Sequence, residues 1–375
     1  MNIAFVSNVV YPFVTGGAEK RIYEIGTRLA ERGHTVTVYG RHFWDGPAEM
    51  EHDGLQLRAV ADERDIYADD RRSITEAIEF AVRLYRPLAA HLDEHDLVDA
   101  SVFPYFPVLA AAAATWRTDV PLVTTWHEVW REYWWEYLGA LGPGGMAIER
   151  AAAAVPQHPV AVSSVTADRL AGLGPERSAV DVVHNGVDAT RINSIEPVSE
   201  GFDALFVGRL VEAKHVDRLL RAVAQLDCEP TVGIVGDGPE RDRLEALAAS
   251  LGVADSVTFP GFLEEYDDVL AQLRAADVFV TASTREGFGI TLVEAMAAGC
   301  TVVATDHPNS AAAEVVDGAG FLVEPDTDSL ADGVDRALAG QQPETPPQAR
   351  ARTFDWEQIT DEAESVYERV CGRQD

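Results

Sequence analysis

The chain has 375 residues, 47% of them hydrophobic, which is enough for two α/β domains of ordinary size, each with its own core. Its 62 acidic residues against 30 basic ones give a formal net charge of −32, and only Lys20 and Lys214 among the basic residues are lysines, a balance that excludes nucleic acid as a partner. No apolar run reaches the ~18 residues of a membrane span, Val108–Trp116 being too short, so contact with a membrane is expected to be peripheral at most.

The three cysteines, Cys228, Cys300 and Cys371, are odd in number and widely spaced, which argues against disulfides and a zinc site. Met1–Val6 lacks a basic region and a cleavage site and reads as a core strand, so the expected location is the cytosol. An acidic surface of this size over an ordinary α/β pattern resembles the proteins of salt-accumulating, halophilic organisms, where molar salt shortens the Debye length to ~3 Å.

Strands and helices alternate from the start. Ile3–Val6 precedes a helix over Ala18–Arg32, and Thr35–Tyr39 follows the Gly33-His34 break, a Rossmann-like opening. The first turn, Val9–Gly17, is too long for the dinucleotide fingerprint, and no P-loop occurs anywhere, so both chemistries are disfavoured. Leu55–Val60, a polar helix around Ser73–His91, Leu97–Ser101 and Pro121–Thr125 follow.

The last of these strands runs out at His127, at a carboxyl end, where open parallel sheets hold ligands. Beside it Trp126, Trp130, Tyr133, Trp134, Trp135 and Tyr137 form an aromatic cluster. Trp130, Trp134 and Tyr137 recur at helical spacing, so one face reads equally as core; the functional alternatives are a platform for a sugar acceptor, with Trp126, Trp130 and Tyr133 as candidates, or an interfacial patch for a lipid-linked one.

Val160–Ser164 and Val180–Val183 complete a first domain, predicted over 1–185, and His184–Gly201 reads as a hinge. A second domain, predicted over 186–352, repeats the alternation through Ala204–Val207, Thr231–Val235, Val257–Phe259, Asp277–Thr281, Thr301–Ala304 and Phe321–Val323. Gln341–Gln348 reads as a linker, with a closing helix within 353–371. The Asp326-Thr327-Asp328 triplet reads as a turn and helix N-cap and offers no metal site.

Within the second domain, Thr284–Gly299 is strand exit, glycine turn and helix. Gly299 ends that helix and Thr301 opens the next strand, which makes a βαβ unit. Glycines at a helix start let backbone N–H groups approach an anion, and the positive dipole end favours a diphosphate. Glu294, in the first two turns, leans back toward that start and can accept from paired hydroxyls such as those of a ribose, while Glu286 would face the other end of the ligand. Arg209 and Lys214, after the first strand of this domain, can reach the same anion.

The run Glu286-Gly287-Phe288-Gly289 with Glu294-Ala295-Met296-Ala297 and Gly299 resembles the signature of retaining nucleotide-sugar glycosyltransferases of family 4, which have the GT-B fold. Gly16-Gly17-Ala18-Glu19, Asn185-Gly186-Val187-Asp188, Val207-Gly208-Arg209-Leu210 with Lys214, and Gly236-Asp237-Gly238-Pro239 agree with it in order. The resemblance implies two Rossmann-like, doubly wound α/β domains facing each other across a cleft, the closing helix bracing the first.

It also implies transfer of a hexosyl group from a nucleotide-sugar donor to a glycan or lipid-linked acceptor, with no metal and no other cofactor. Gly16 and Gly17 would close on the donor diphosphate, Gly287, Phe288, Gly289 and Ile290 would line it, and Glu294 would hold the ribose. Glu286, His127, Arg209 and Lys214 would be the catalytic set. Departures are His215, where the family has Gly after Lys, and His184, where it has Pro before Asn-Gly. A nucleotide-sugar epimerase, a phosphorylase and a non-catalytic binder share the architecture and remain the rivals.

Overall fold

A computed structural model describes residues 1–14, 16–68 and 71–372, and the chain divides into two compact units. Met1–Asn185 and the segment from Trp356 onward form the first, and Gly186–Asp355 forms the second.

The first unit is built on an eight-stranded sheet in the order Asp181–Val182, His158–Ala161, Leu122–Trp126, Leu97–Ser101, Asn2–Val6, Thr35–His42, Leu55–Asp62 and Glu49–His52. Every pairing is parallel except the last, where Glu49–His52 runs antiparallel along the edge. Strand side chains alternate between faces, and two cores follow from that period. Ile3, Phe5, Val36, Val38, Leu97 and Val123 pack under the helix Gly17–Glu31 and the last helix, Trp356–Val370. Ala4, Val6, Tyr39, Val98, Ala100 and Leu122 pack under the helices Ile74–Ala90, Phe106–Thr115 and Gly142–Ala154.

The last helix is tied to the first by charge as well. Arg28 and Arg32 pair with Glu357, Asp361 and Glu364 at 2.7 to 3.0 Å, and these carboxylates raise the Arg32 pKa despite partial burial. A buried ion pair, Arg41 Nε to Glu76 Oε1 at 2.6 Å, fixes the strand Thr35–His42 to the helix Ile74–Ala90, with Asn8 Nδ2 donating to the same carboxylate.

The second unit has a six-stranded parallel sheet, in the order Val257–Gly261, Val232–Val235, Ala204–Val207, Val278–Thr281, Thr301–Thr305 and Gly320–Val323. One face is covered by the helices Val216–Val223, Arg241–Leu251 and Thr327–Leu338. Asp326 caps the third of these by accepting from the Ser329 N–H at 2.8 Å.

Two segments differ from the sequence reading. The stretch taken as a hinge contains the helix Ala189–Ser194, because Asp188 caps it through the Arg191 N–H at 2.8 Å. The stretch taken as a linker turns helical at Pro347–Ala351, proline being suited to a helix start.

Candidate active site

The glycine turn leads from the strand Val278–Thr281 into the helix Ile290–Ala298. Gly289 sits at φ 84° and ψ 60°, the left-handed region, and an added Cβ would lie 2.8 Å from Leu292 Cδ1, so no other residue fits without strain. Gly289, the N-cap residue, has no side chain with which to cap the helix start, and Gly299 closes the other end by donating to the Ala295 and Met296 carbonyls. Leu292 to Ala298 are all buried, so packing holds the helix rigidly against its neighbours. Phe288 is buried too, its ring edge-on to Phe354 at 5.5 Å, which anchors the turn between Gly287 and Gly289. Ile290 is partly covered at the first helical position.

The two glutamates diverge in environment. Glu294 is 4% exposed and its Oε1 accepts from the Tyr266 hydroxyl, a partner on the helix Tyr266–Ala275 that no local pattern marks. Glu286 Oε1 meets Lys214 Nζ at 2.5 Å. That pair joins two residues 72 positions apart, and the loops carrying them are stitched together. His215 Nε2 lies 3.0 Å from Thr284 Oγ1, the Thr284 N–H donates to the Ala213 carbonyl at 3.3 Å, and Ser283 Oγ donates to the same carbonyl.

His215 has φ 47° and ψ 41°, a left-handed residue between the short turn Glu212–Lys214 and the helix Val216–Val223. A glycine at this place would be conformationally natural; the histidine accepts the backbone cost and contributes a ring contact instead. Burial and the neighbouring Arg218 charge lower its pKa.

Arg209 lies on the exposed loop after Ala204–Val207. That loop is pressed against the Gly236–Pro239 turn: the Leu210 N–H donates to the Asp237 carbonyl at 2.8 Å, and a Cβ on Gly236 would fall 2.0 Å from the Gly208 carbonyl oxygen. Arg209, Lys214, Glu286 and the glycine turn therefore belong to loops leaving carboxyl ends of this sheet.

In the first unit, Gly16 precedes the helix Gly17–Glu31 in an extended conformation with no side-chain cap, and its carbonyl accepts from the Lys20 N–H at 2.9 Å. His127 follows the strand Leu122–Trp126, and its Nε2 is buried with no hydrogen-bond partner among the described residues. Burial, reinforced by the positive charge of Arg21, pushes its pKa down to about 3, so the ring is neutral.

The aromatic cluster divides by residue. Trp126 is 0% exposed and its Nε1 donates to Thr124 Oγ1 at 3.0 Å, so the expectation that its ring serves an acceptor is corrected: period-two alternation turns it into the core. Trp130 and Tyr133 are partly covered, with ring centroids 5.1 Å apart, and Trp130 stacks against Phe103 at 5.0 Å. Trp130 lies ahead of the helix Tyr133–Leu138, so the helical spacing read from the sequence does not apply to it.

The backbone after His127 is held by two residues the sequence did not single out. Buried Glu149 accepts from the Trp130 and Arg131 N–H groups at 2.6 and 2.9 Å, and Arg169 Nε donates to the Val129 carbonyl at 2.9 Å. A charged residue inside an alanine-rich helix was the available signal for Glu149. Among the described residues, no three His, Cys, Asp or Glu side chains gather as metal ligands.

Residues 15–191 match the model of Glycosyltransferase Family 4, and residues 189–354 match that of Glycosyl transferases group 1. The chain belongs to these glycosyltransferases. Glycogen synthase of Mycobacterium tuberculosis is 28% identical over 403 residues, spanning 98% of this chain and 94% of that protein. The D-inositol 3-phosphate glycosyltransferase of Mycobacterium bovis is 37% identical over 225 residues, or 53% of this chain and 45% of that protein.

Among solved structures, sucrose-phosphate synthase from Thermosynechococcus elongatus superposes with a TM-score of 0.80 at 20% identity, with full coverage of both chains. Anabaena HepE in complex with UDP and glucose gives 0.74 at 22% identity, covering 98% of this chain and all of that one. These likenesses make the glycosyltransferase a member of the GT-B fold class.

Proposed function

We propose that this glycosyltransferase moves a hexosyl group from a nucleoside-diphosphate sugar to a glycan or lipid-linked acceptor hydroxyl, with retained configuration and without a metal ion. The observation that carries this reading is the convergence of Lys214 and Glu286, 2.5 Å apart, in the same unit as a helix start whose N-cap is Gly289. A cation and a carboxylate meeting at one point suit the junction between a leaving phosphate and a sugar ring.

In this reading the helix start holds the diphosphate, and Arg209 and Lys214 neutralise the charge that builds as it leaves, each contributing roughly 3–4 kcal/mol by analogy with other preorganised donors. Glu286 accepts from the sugar hydroxyls and Glu294 from the ribose. The bond from the sugar carbon to the phosphate oxygen breaks while the acceptor oxygen bonds to that carbon from the same face. The acceptor proton passes to a phosphate oxygen, so no protein nucleophile is needed. His127, neutral, adds no positive charge beside the cation-like carbon.

The likeness to a glycogen synthase over nearly the whole chain favours a glycan acceptor. A cytosolic place, with at most peripheral contact at the inner face of the membrane, accommodates a lipid-linked one.

The test is a thermal-shift screen of UDP-, ADP- and GDP-hexoses in molar potassium chloride, followed by NMR of the product made with and without EDTA. Product with the donor's anomeric configuration, formed at the same rate in EDTA, is expected. An inverted product, or activity lost to EDTA and restored by magnesium, rejects the reading. Donor isomerised without acceptor would make the chain an epimerase, and binding without turnover a sugar-nucleotide binder.

A further inference from the structure

Behind His127, inside the first unit, lies a small chamber walled partly by the apolar side chains of Phe5, Ile22 and Ile25. Its charged and polar walls come from four elements: Arg21 on the first helix, Asp99 and Ser101 on one strand, Thr125 and His127 from the next, and Tyr367 on the last helix. Apart from His127, each of these residues is 7% exposed or less.

Asp99 is the centre of the hydrogen bonding. The Tyr367 hydroxyl donates to its Oδ2 at 2.7 Å, and Thr125 Oγ1 donates to its Oδ1 at 2.9 Å. Arg21 supplies the opposite charge. Its guanidinium donates to the His184 carbonyl and, at 3.1 Å, to Asn185 Oδ1, the last two residues before the chain leaves this unit. Two wall residues each carry a buried polar atom with no hydrogen-bond partner among the described residues, Ser101 Oγ and His127 Nε2.

The chamber's volume is about 10 Å³. One water molecule needs roughly 10–15 Å³ and two or more polar partners; the chamber is at the lower end of that range, and Ser101 Oγ and His127 Nε2 are two polar atoms on its walls.

Buried charges of this kind are a costly way to attach a helix. Replacing a buried ion pair with apolar side chains of equal volume is often neutral or stabilising, so attachment alone does not account for Arg21, Asp99 and Tyr367 at this place. What the three do share is a wall with His127. We propose that Asp99 and Tyr367 are positioning residues for the transfer reaction, orienting the His127 imidazole through Thr125 and through one ordered water that bridges His127 Nε2 and Ser101 Oγ.

This rests on the reading of His127 as a group acting at the donor sugar. The groups facing the imidazole from the chamber walls are Arg21, Asp99 and Tyr367. Burial acts on all three, lowering the Arg21 pKa and raising those of Asp99 and Tyr367. Asp99 and Arg21 oppose this by favouring each other's charged forms, and the Thr125 and Tyr367 hydrogen bonds also favour the Asp99 carboxylate, without reversing the effect of burial on either.

The experiment is a double-mutant cycle in the full chain, using the nucleotide sugar that the screen identifies. Tyr367→Phe removes one hydroxyl. It is expected to lower kcat about ten-fold, leave the donor KM unchanged, and have no further effect once His127→Ala is present, as misplacement of a reacting group dictates. The His127 imidazole nitrogen shifts, read by NMR without substrate, should move in Tyr367→Phe.

Unchanged kcat in Tyr367→Phe, or the same loss in both backgrounds, overturns the proposal, because an independent structural contact would act equally in each. Wild-type kcat in His127→Ala instead overturns the reading of His127, and the two failures are thereby distinguished. Should Tyr367→Phe not fold, Thr125→Val removes the other donor to Asp99 at nearly constant volume and should give the same split.

Discussion

At the scale of single residues, the pairing of Lys214 with Glu286 sharpens what each glutamate should do. Glu294→Ala removes a buried acceptor that does not change during reaction, so affinity for the bare nucleoside diphosphate should fall along with affinity for the donor. Glu286→Ala should not weaken the diphosphate, since it frees Lys214 from a carboxylate 2.5 Å away, yet turnover should drop by a factor of ~10² or more. Calorimetry beside steady-state rates decides; equal losses of diphosphate affinity in both variants would dissolve the two-ended assignment.

His127 makes a separate claim about pH. Its imidazole titrates near 6.5 in an unfolded chain and near 3 in the fold, so between those values the unfolded chain binds the extra proton. The contribution is intact above about pH 6.5 and is lost as pH falls toward about 3. Urea unfolding from pH 7 to pH 4 should therefore show a shallower decline in His127→Asn than in wild type. Identical slopes would mean that the ring protonates in place.

At the scale of elements, the glycine turn is the most exacting piece. Gly289→Ala forces an L side chain to φ 84° and drives a methyl toward Leu292, which should cost about 1–2 kcal/mol of stability and shift the helix start. Melting temperature and diphosphate affinity should fall together; a fall in the first alone would detach the turn from binding.

This turn was legible in the sequence because glycine spacing and a β-branched run are local signals, and so were most strands, whose apolar periods survive in a two-sided core. The edge strand Glu49–His52 was not, since an exposed antiparallel edge carries polar side chains and looks like loop. Trp126 and Trp130 could not be told apart by type, because their burial depends on which sheet face and which helix they meet. Long-range partners were the blind spot: nothing local marks Tyr266 for Glu294, or Glu149 for the backbone beyond His127. His215 was noticed as a departure, and only the backbone conformation explains how a histidine occupies a glycine's place.

At the scale of the molecule, the charge of −32 is distributed over a chain whose basic residues are largely engaged in ion pairs, which leaves much of the acidic surplus facing solvent. Self-repulsion of that size should be muted by salt, so melting temperature is expected to climb steadily from dilute buffer to molar potassium chloride. A flat response would reduce the acidity to an aid to solubility.

The division of the chain has a temporal consequence. Gly186–Asp355 is continuous, and its two ends are stitched together by the Val187 N–H donating to the Phe354 carbonyl at 2.8 Å, so it is a closed insert within the other unit. On the ribosome the insert is complete once Asp355 has emerged, while the unit that began first still lacks Trp356, Ile359 and Tyr367 from its core. The usual order, with the N-terminal domain maturing first, is thereby reversed. His127 acquires its finished surroundings only when the final helix docks, so on the function proposed above a nascent chain would gain the means to bind a nucleotide before it gains the means to use one.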